Sequence, residues 1–400
     1  MSMNPEEKSE SSVGIIGGGI SGLSAALVLA KHKISCEIIE KNTMHYSLGA
    51  GVQLGPNATR ALANLDVLPN LLEKAFLPKK MLVYDMRSRF PLTSLEIRDR
   101  FSKKYKFPYL TMLRTDLHEA LTQKTKEFSQ IKKSYSTKVI KVKTTSSKKI
   151  VISTKSTSVF SALVLSDGIS SPLGQKLGFL KKPNFSNISI FRSIIRNPKS
   201  CCAEIHENIS LWLGKNCHVV TYPVNQTGSI NIVIAVKNEP EKTVLNRGQV
   251  LSLDAFSHFI DIKCDALQEI IEQGADWYEW PVYQGRRIKQ TSDFQRNAIV
   301  LLGDAGHPLK PHLAQGASMA LEDSMVLDKF LLNEQKPRDW QRIFEEYAAS
   351  RILRIKLVQN RSARNGKIFH FAEPIRTLRN FTLKMFGGLL LDQRWLYKKI

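Results

Sequence analysis

The chain has 400 residues, of which 42% are hydrophobic and 24% charged; this excludes a disordered or fibrous chain and leaves length for a large core that needs no staple. A formal net charge of +22 would suit nucleic acid, but the lysines fall in scattered pairs such as Lys79-Lys80, Lys103-Lys104 and Lys132-Lys133. No basic helix or aromatic platform accompanies them, so no nucleic-acid partner is expected; weak peripheral contact with an acidic membrane surface stays open, and the charge would steer anionic substrates and reduced dinucleotides.

The cysteines Cys36, Cys201, Cys202, Cys217 and Cys264 form no CxxC pair and no zinc spacing, which points to a reducing compartment and no metal. The opening residues, MSMNPEEKSESS, are polar and acidic, unlike a secretory signal. Apolar stretches fall far short of the ~18–20 residues that span a bilayer, so a cytoplasmic location is expected.

Val13 to Ile16 is a short apolar run, and Ser21 to Lys31 carries Leu23, Ala26, Leu27 and Ala30 at helical spacing. Strand, turn and helix follow one another, and Ile34 to Glu40 reads as a second strand that closes a βαβ unit. Ile140 to Val151 alternates roughly, and Val159 to Leu165 reads as one buried strand ending in Ser166-Asp167-Gly168. From Asn187 to Val236 short strands are split by turn residues, which predicts a mainly antiparallel sheet. Ile299 to Leu302 is a further buried strand, and Ala317 to Leu332 and Trp340 to Gln359 have helical periodicity. The apolar tail from Phe381 to Leu391 is expected to pack on the core, with dimerisation or membrane contact as its alternatives.

Gly17, Gly19 and Gly22 give G-x-G-x-x-G between the first strand and its helix. The first glycine permits the tight turn, the second lets a pyrophosphate approach the backbone, and the third lets helix pack on strand. Glu40 follows about 20 residues later, where a carboxylate accepts hydrogen bonds from a ribose diol, and Lys41 beside it joins the cofactor-binding set. The fingerprint alone does not separate NAD from FAD.

The run Leu302-Gly303-Asp304-Ala305-Gly306-His307-Pro308, followed by Pro311, Ala314-Gln315-Gly316-Ala317 and a helix containing Glu322-Asp323, resembles the GD motif of the group A flavoprotein aromatic hydroxylases. The resemblance implies that Asp304 contacts the ribityl chain of FAD and that Pro311 and the helix start at Gly316 and Ala317 face the flavin, where the dipole and free N–H groups favour negative charge. Gly49-Ala50-Gly51-Val52-Gln53-Leu54 resembles the loop beside the isoalloxazine, with Gly51 and Val52 as contacts. Arg114 resembles the family's flavin-contacting arginine, and Asp167-Gly168 with Ser171 resembles its DG motif. Gly174 stands where that motif usually ends in arginine, which leaves the choice between NADH and NADPH open.

Within the family, Leu313 to Ala317, His218 to Val224, Arg361 to Gly366 and Trp395-Leu396-Tyr397 are most similar to the salicylate hydroxylase branch. That branch implies a substrate beside His218 and Tyr222, with His218 activating a phenol. Positions four apart on a strand share a face, and a histidine near its ordinary pKa suits removal of a phenolic proton before electrophilic ring hydroxylation. Arg192 either orients a substrate carboxylate or pairs with a surface acid; Gln315 is a second substrate candidate. His307 reads as cofactor-loop structure, and Trp280 and Tyr283 as pocket lining or core.

The expected fold is α/β: a Rossmann-like FAD-binding domain with a parallel sheet, interleaved with a mainly antiparallel β substrate domain and followed by a C-terminal helical region. The expected boundaries are 1–72, 101–180 and 285–335 for the first, 73–100 and 181–284 for the second, and 336–400 for the third. The implied activity is hydroxylation of a salicylate-like or hydroxybenzoate-like phenol by non-covalent FAD, NADH or NADPH and O2, through a flavin C4a-hydroperoxide, in a monomer or homodimer. Alternatives are a hydroxylase of a quinone precursor or other lipid-soluble substrate, and a non-hydroxylating NAD(P)H oxidase or redox partner protein.

Overall fold

The computed structural model describes residues 12–43, 50–145, 150–154, 156–179, 181–199, 203–237, 250–285, 287–332 and 338–398; Gly49, Cys201, Cys202 and the opening eleven residues lie outside them. A six-stranded sheet runs in the order Gln295–Arg296, Ile299–Leu301, Ala162–Leu165, Val13–Ile16, Cys36–Ile39 and Ile131–Ser134. All neighbours are parallel except the first pair. Val13–Ile16 and Ala162–Leu165 are buried along their whole length, as strands covered on both faces must be. The helix Ile20–Lys31 is buried from Ile20 to Ala30, since it packs on this sheet while the helix Gly316–Leu331 packs on it in turn.

The stretch from Val159 to Leu165 is two strands, not one. Thr157–Phe160 pairs antiparallel within a three-stranded sheet, whereas Ala162–Leu165 joins the parallel sheet. Between them, the Ser161 N–H bonds to the Ser12 carbonyl and redirects the chain, a long-range pairing that an unbroken apolar run does not announce.

The second large sheet has eight strands, in the order Val250–Leu251, Trp277–Gln284, Asn184–Ile195, Ile230–Lys237, Cys217–Pro223, Ile209–Leu213, Lys80–Asp85 and Thr93–Glu96. It is antiparallel apart from the pairing of Ile209–Leu213 with Lys80–Asp85. The strand period of two sends Cys217 and Val219 to one face and His218, Val220 and Tyr222 to the other. On the first face, Trp212, Ile232 and Ile234 form a core with Leu267, Ile270 and Ile271 of the helix Asp265–Glu272. The second face is left to the cavity described below. A two-stranded ribbon, Gly51–Leu54 with Leu110–Leu113, lies between the large sheets.

The helix that begins at Trp340 runs on to Phe369, ten residues past the expected end at Gln359. Its last turns contain poor helix formers, and tertiary contacts hold them: Ser362 Oγ donates to the Lys310 carbonyl at 2.7 Å, and Gly366 lies where any Cβ would collide with the His312 ring. The following helix, Ile375–Leu391, corrects the expectation of core packing. Phe381, Met385 and Leu389 point outward, because Arg376, Arg379 and Asn380 face inward and bond to the buried Asp85.

Candidate active site

One cavity of about 1590 Å3 lies between the two large sheets. Of the residues singled out from the sequence, Gly17, Gly19, Glu40, Lys41, Gly51, Val52, Arg114, Asp167, Asp304, Pro311, Gly316, Ala317, Gln315, Arg192, His218 and Tyr222 all line it. Gly22 does not, and its place explains why: a Cβ there would collide with the Gly17 carbonyl, so this glycine serves the close packing of helix on strand.

Gly17 has φ +106°, a backbone conformation open to glycine and disfavoured for other residues. A Cβ on Gly19 would meet nothing within 4 Å, so the backbone there is open to the cavity. Gly19 also begins the helix Ile20–Lys31, which has no side-chain cap and no acid in its first turn. Its first N–H groups and dipole therefore suit a phosphate. Glu40 is held at the end of its strand: Oε2 accepts from the Gly18 N–H at 2.8 Å and Oε1 from the Asn42 N–H at 2.8 Å. His118, not foreseen from the sequence, bonds through Nε2 to the Gly18 carbonyl at 2.7 Å and fixes the loop from its far side.

The other wall of this half is the turn from Gly303 to Gln315. Asp304 lies deep in the protein with its side chain open to the cavity; burial raises its carboxyl above the ordinary range, although His307 and Arg114 oppose the shift. Gln315 precedes the helix Gly316–Leu331, whose start likewise carries no side-chain cap and no acid. The Gln315 amide oxygen accepts from Asn57 Nδ2 at 2.9 Å, so this side chain is tied into the protein's own network.

That network is the main feature the sequence did not reveal. Asp323 accepts from the Gly303 N–H at 2.8 Å and from Arg351 Nε at 2.8 Å, and is hydrogen-bonded to His307 Nε2 at 2.6 Å. Glu322 accepts from Arg351, Arg354 and Asn57. Burial acts to raise both acids, but the paired arginines and, for Asp323, His307 hold them below the carboxylate range. His307 is thus a strut between the turn and the helix. Arg351 and Arg354 lie on the long helix with no motif to mark them, and only the folded chain brings them to Glu322-Asp323.

Across the cavity the sheet presents Val83, Leu211, Leu213, Val220, Val233 and Ala235 as an apolar floor. Polar groups on it are few. Arg192 is deep, with its guanidinium 6.0 Å from the Trp280 ring, and its Nε has no hydrogen-bond partner among the described residues. Burial lowers its pKa and the neighbouring Arg114 adds to the effect, while Tyr222 opposes it. Among the described residues no acid forms an ion pair with it. Tyr222 is pushed up to about 12 by burial, against the opposing effects of Arg192 and the neighbouring Asn231 amide, and so stays protonated. Asn231 is another residue not foreseen, a polar interruption in the strand Ile230–Lys237; its Oδ1 also accepts from the Gly51 N–H at 2.8 Å. Gly51 must be glycine, since a Cβ would come within 2.7 Å of both Tyr222 and Asn231.

His218 differs from the ordinary histidine anticipated for it. Burial, then His370 and His312, hold its pKa well below the usual range. Its Nδ1 shares a hydrogen bond of 2.8 Å with His370 Nε2, and the His312 ring is 5.3 Å away. His312 is lowered to about 3 and His370 to about 4, mainly by burial, so the three rings are neutral near pH 7. No group of side chains suited to a metal is present among the described residues. Trp280 lines the cavity, while Tyr283 packs edge-on against Phe185.

This arrangement fits a dinucleotide in one half and a small ring in the other. Residues 10–362 match the FAD binding domain family, and the chain belongs to that family. It is 27% identical to a 3-hydroxybenzoate 6-hydroxylase of Polaromonas naphthalenivorans (strain CJ2), over 92% of this chain and 90% of that protein. A 6-hydroxynicotinate 3-monooxygenase of Pseudomonas fluorescens is 26% identical over 88% of this chain and 90% of its own. Among solved structures, a salicylate hydroxylase in complex with substrate superposes with a TM-score of 0.79 at 19% identity, covering 98% of this chain and 96% of that one. Klebsiella pneumoniae HpxO, solved with FAD and uric acid, gives 0.83 at 19% identity, with 97% and 96% covered. These likenesses establish the fold, and the resemblance to group A flavoprotein aromatic hydroxylases holds.

Proposed function

We propose that this protein is an FAD-dependent monooxygenase that uses NADH or NADPH and O2 to hydroxylate a phenolic aromatic carboxylate of the hydroxybenzoate or salicylate type. The observation that carries the reading is the convergence of the dinucleotide half and the Arg192, His218 and Tyr222 wall on one cavity. The names of the curated relatives support the substrate class.

Gly17, Gly19, Glu40, Asp304 and Arg114 would hold FAD without a covalent link. The flavin, when bound, would accept hydride from the nicotinamide and supply activated oxygen; the protein supplies position, charge and exclusion of water. Arg192, a deep cation whose Nε has no hydrogen-bond partner among the described residues, would take the substrate carboxylate by a charge-assisted hydrogen bond. Tyr222, kept protonated, would donate to the phenolic oxygen. His218 is neutral and can accept the phenolic proton at Nε2, while its Nδ1 passes a proton toward His370 along their shared hydrogen bond. The apolar floor would seat the ring face.

The test is a spectrum of the purified protein, then NADH and NADPH oxidation with and without a panel of hydroxybenzoates, with products weighed. Substrate-stimulated oxidation is expected, with a product heavier by one oxygen or, where hydroxylation expels carbon dioxide, one that has gained an oxygen and lost CO2 and is therefore lighter than the substrate. Peroxide formation that accounts for all oxidised nicotinamide with every phenol would overturn the reading.

A further inference from the structure

The helix Ile375–Leu391 is mounted with its charged side inward. Arg376 and Arg379 are buried and bond to Asp85, with Asn380 Nδ2 adding a 2.7 Å bond to the same carboxylate, and Gly387 packs on Thr93. At the helix end, buried Asp392 accepts from Tyr105 and Arg100, each at 2.8 Å. Outward, Ile375, Leu378, Phe381, Met385, Phe386, Leu389 and Leu390 are each more than half exposed. Their spacing of three, three, four, one, three and one places them on one side of the helix, a continuous apolar face. In water such a face is unfavourable, and an inverted mounting held by buried charge indicates an apolar medium outside.

Charge around the face is one-sided. From Arg351 to Lys398 the chain carries eleven lysines and arginines against two acids, Glu373 and Asp392; Arg351, Arg354, Arg376 and Arg379 are paired inward with Glu322, Asp323 and Asp85, and the others remain for the surface. Arg361, Arg364, Lys367, Lys384, Arg394 and Lys398 are exposed. Arg361 and Arg364 line the same cavity as Leu389 and Leu390, so cations and apolar face belong to one mouth. A second copy docked on this face would bring like charges together, whereas anionic lipid headgroups would meet them and the acyl region would take the apolar side chains.

We propose that the helix Ile375–Leu391 seats the protein on an anionic membrane surface, lying in the interface rather than crossing it. No helix among the described residues is long and apolar enough to cross a membrane. Because the inner side of the helix contributes Leu383 to the cavity, docking places a wall of the substrate chamber at the lipid boundary. This inference does not depend on the identity of the substrate.

The experiment is co-sedimentation of the flavin-loaded full chain with vesicles of phosphatidylcholine and phosphatidylglycerol, against phosphatidylcholine alone, at low and high salt. Pelleting is expected only with the anionic vesicles, and it should weaken as salt rises. The double variant Phe381→Glu, Met385→Glu should lower the partition constant roughly tenfold or more, with flavin spectrum and melting unchanged since neither side chain packs inward. Failure to pellet at low salt, or undiminished pelleting of the variant, overturns the proposal. So does a wild-type dimer in sedimentation equilibrium that the variant dissociates, which would assign the face to a second copy.

Discussion

The two large sheets meet the same cavity by different physical means. The parallel sheet contributes its strand ends: backbone turns at Gly17 and Gly303, two uncapped helix starts, and the carboxylates of Glu40 and Asp304. The antiparallel sheet contributes a face, mostly apolar, on which Arg192, His218 and Tyr222 stand on two different strands. A site made of turns is held by short-range geometry and by the buried ionic network beneath it. A site made on a sheet face can exchange single side chains while its frame stays intact, which is where substrate choice can vary.

This contrast is exposed to direct attack, and the largest effect belongs to the network. Arg351→Leu leaves Glu322 and Asp323 short of a buried partner and should destabilise the protein by about 3–5 kcal/mol, read as a fall in melting temperature together with loss of flavin. An unchanged melting curve would mean that the turn does not depend on the network. Next comes His218→Asn, expected to lower turnover by about 100-fold or more while the flavin spectrum and melting stay as they were. If the flavin is lost as well, the two walls are not separable in the way described.

Arg192→Gln tests binding rather than chemistry. Loss of a charged hydrogen bond of about 1.5–3 kcal/mol should raise KM for a carboxylated phenol roughly tenfold to a hundredfold, with a smaller effect on a phenol that lacks the carboxylate. Equal losses for both substrates would place Arg192 in the frame of the sheet instead.

The last effect is on stability against pH. His312 and His370 have folded pKa values of about 3 and about 4, below the unfolded value near 6.5. Below pH ~6.5 the unfolded chain therefore binds more protons than the folded one, and stability falls as pH falls, by at most about 1.4 kcal/mol per pH unit for each ring. The loss should continue toward pH ~4, where His370 begins to protonate in the folded state. Melting temperatures from pH 7 to 5 should drop, and the double variant His312→Asn, His370→Asn should show a shallower slope.

The sequence by itself determined the dinucleotide half. Its requirements are local: a left-handed turn demands Gly17, tight packing demands Gly22, and a strand end about 20 residues on places Glu40, so spacing along the chain stands in for position in space. It also foretold the two-residue period that puts His218 and Tyr222 on one face. The folded chain alone decided what those side chains feel. His370 and His312 arrive from distant segments to hold His218 neutral, Arg351 arrives to hold Asp323 charged, and Asn231 arrives to fix Gly51 beside Tyr222. The break at Ser161, the late end of the long helix at Phe369 and the outward turn of Phe381 have the same origin. Each is set by a partner far away in sequence, and periodicity along the chain carries no information about such partners.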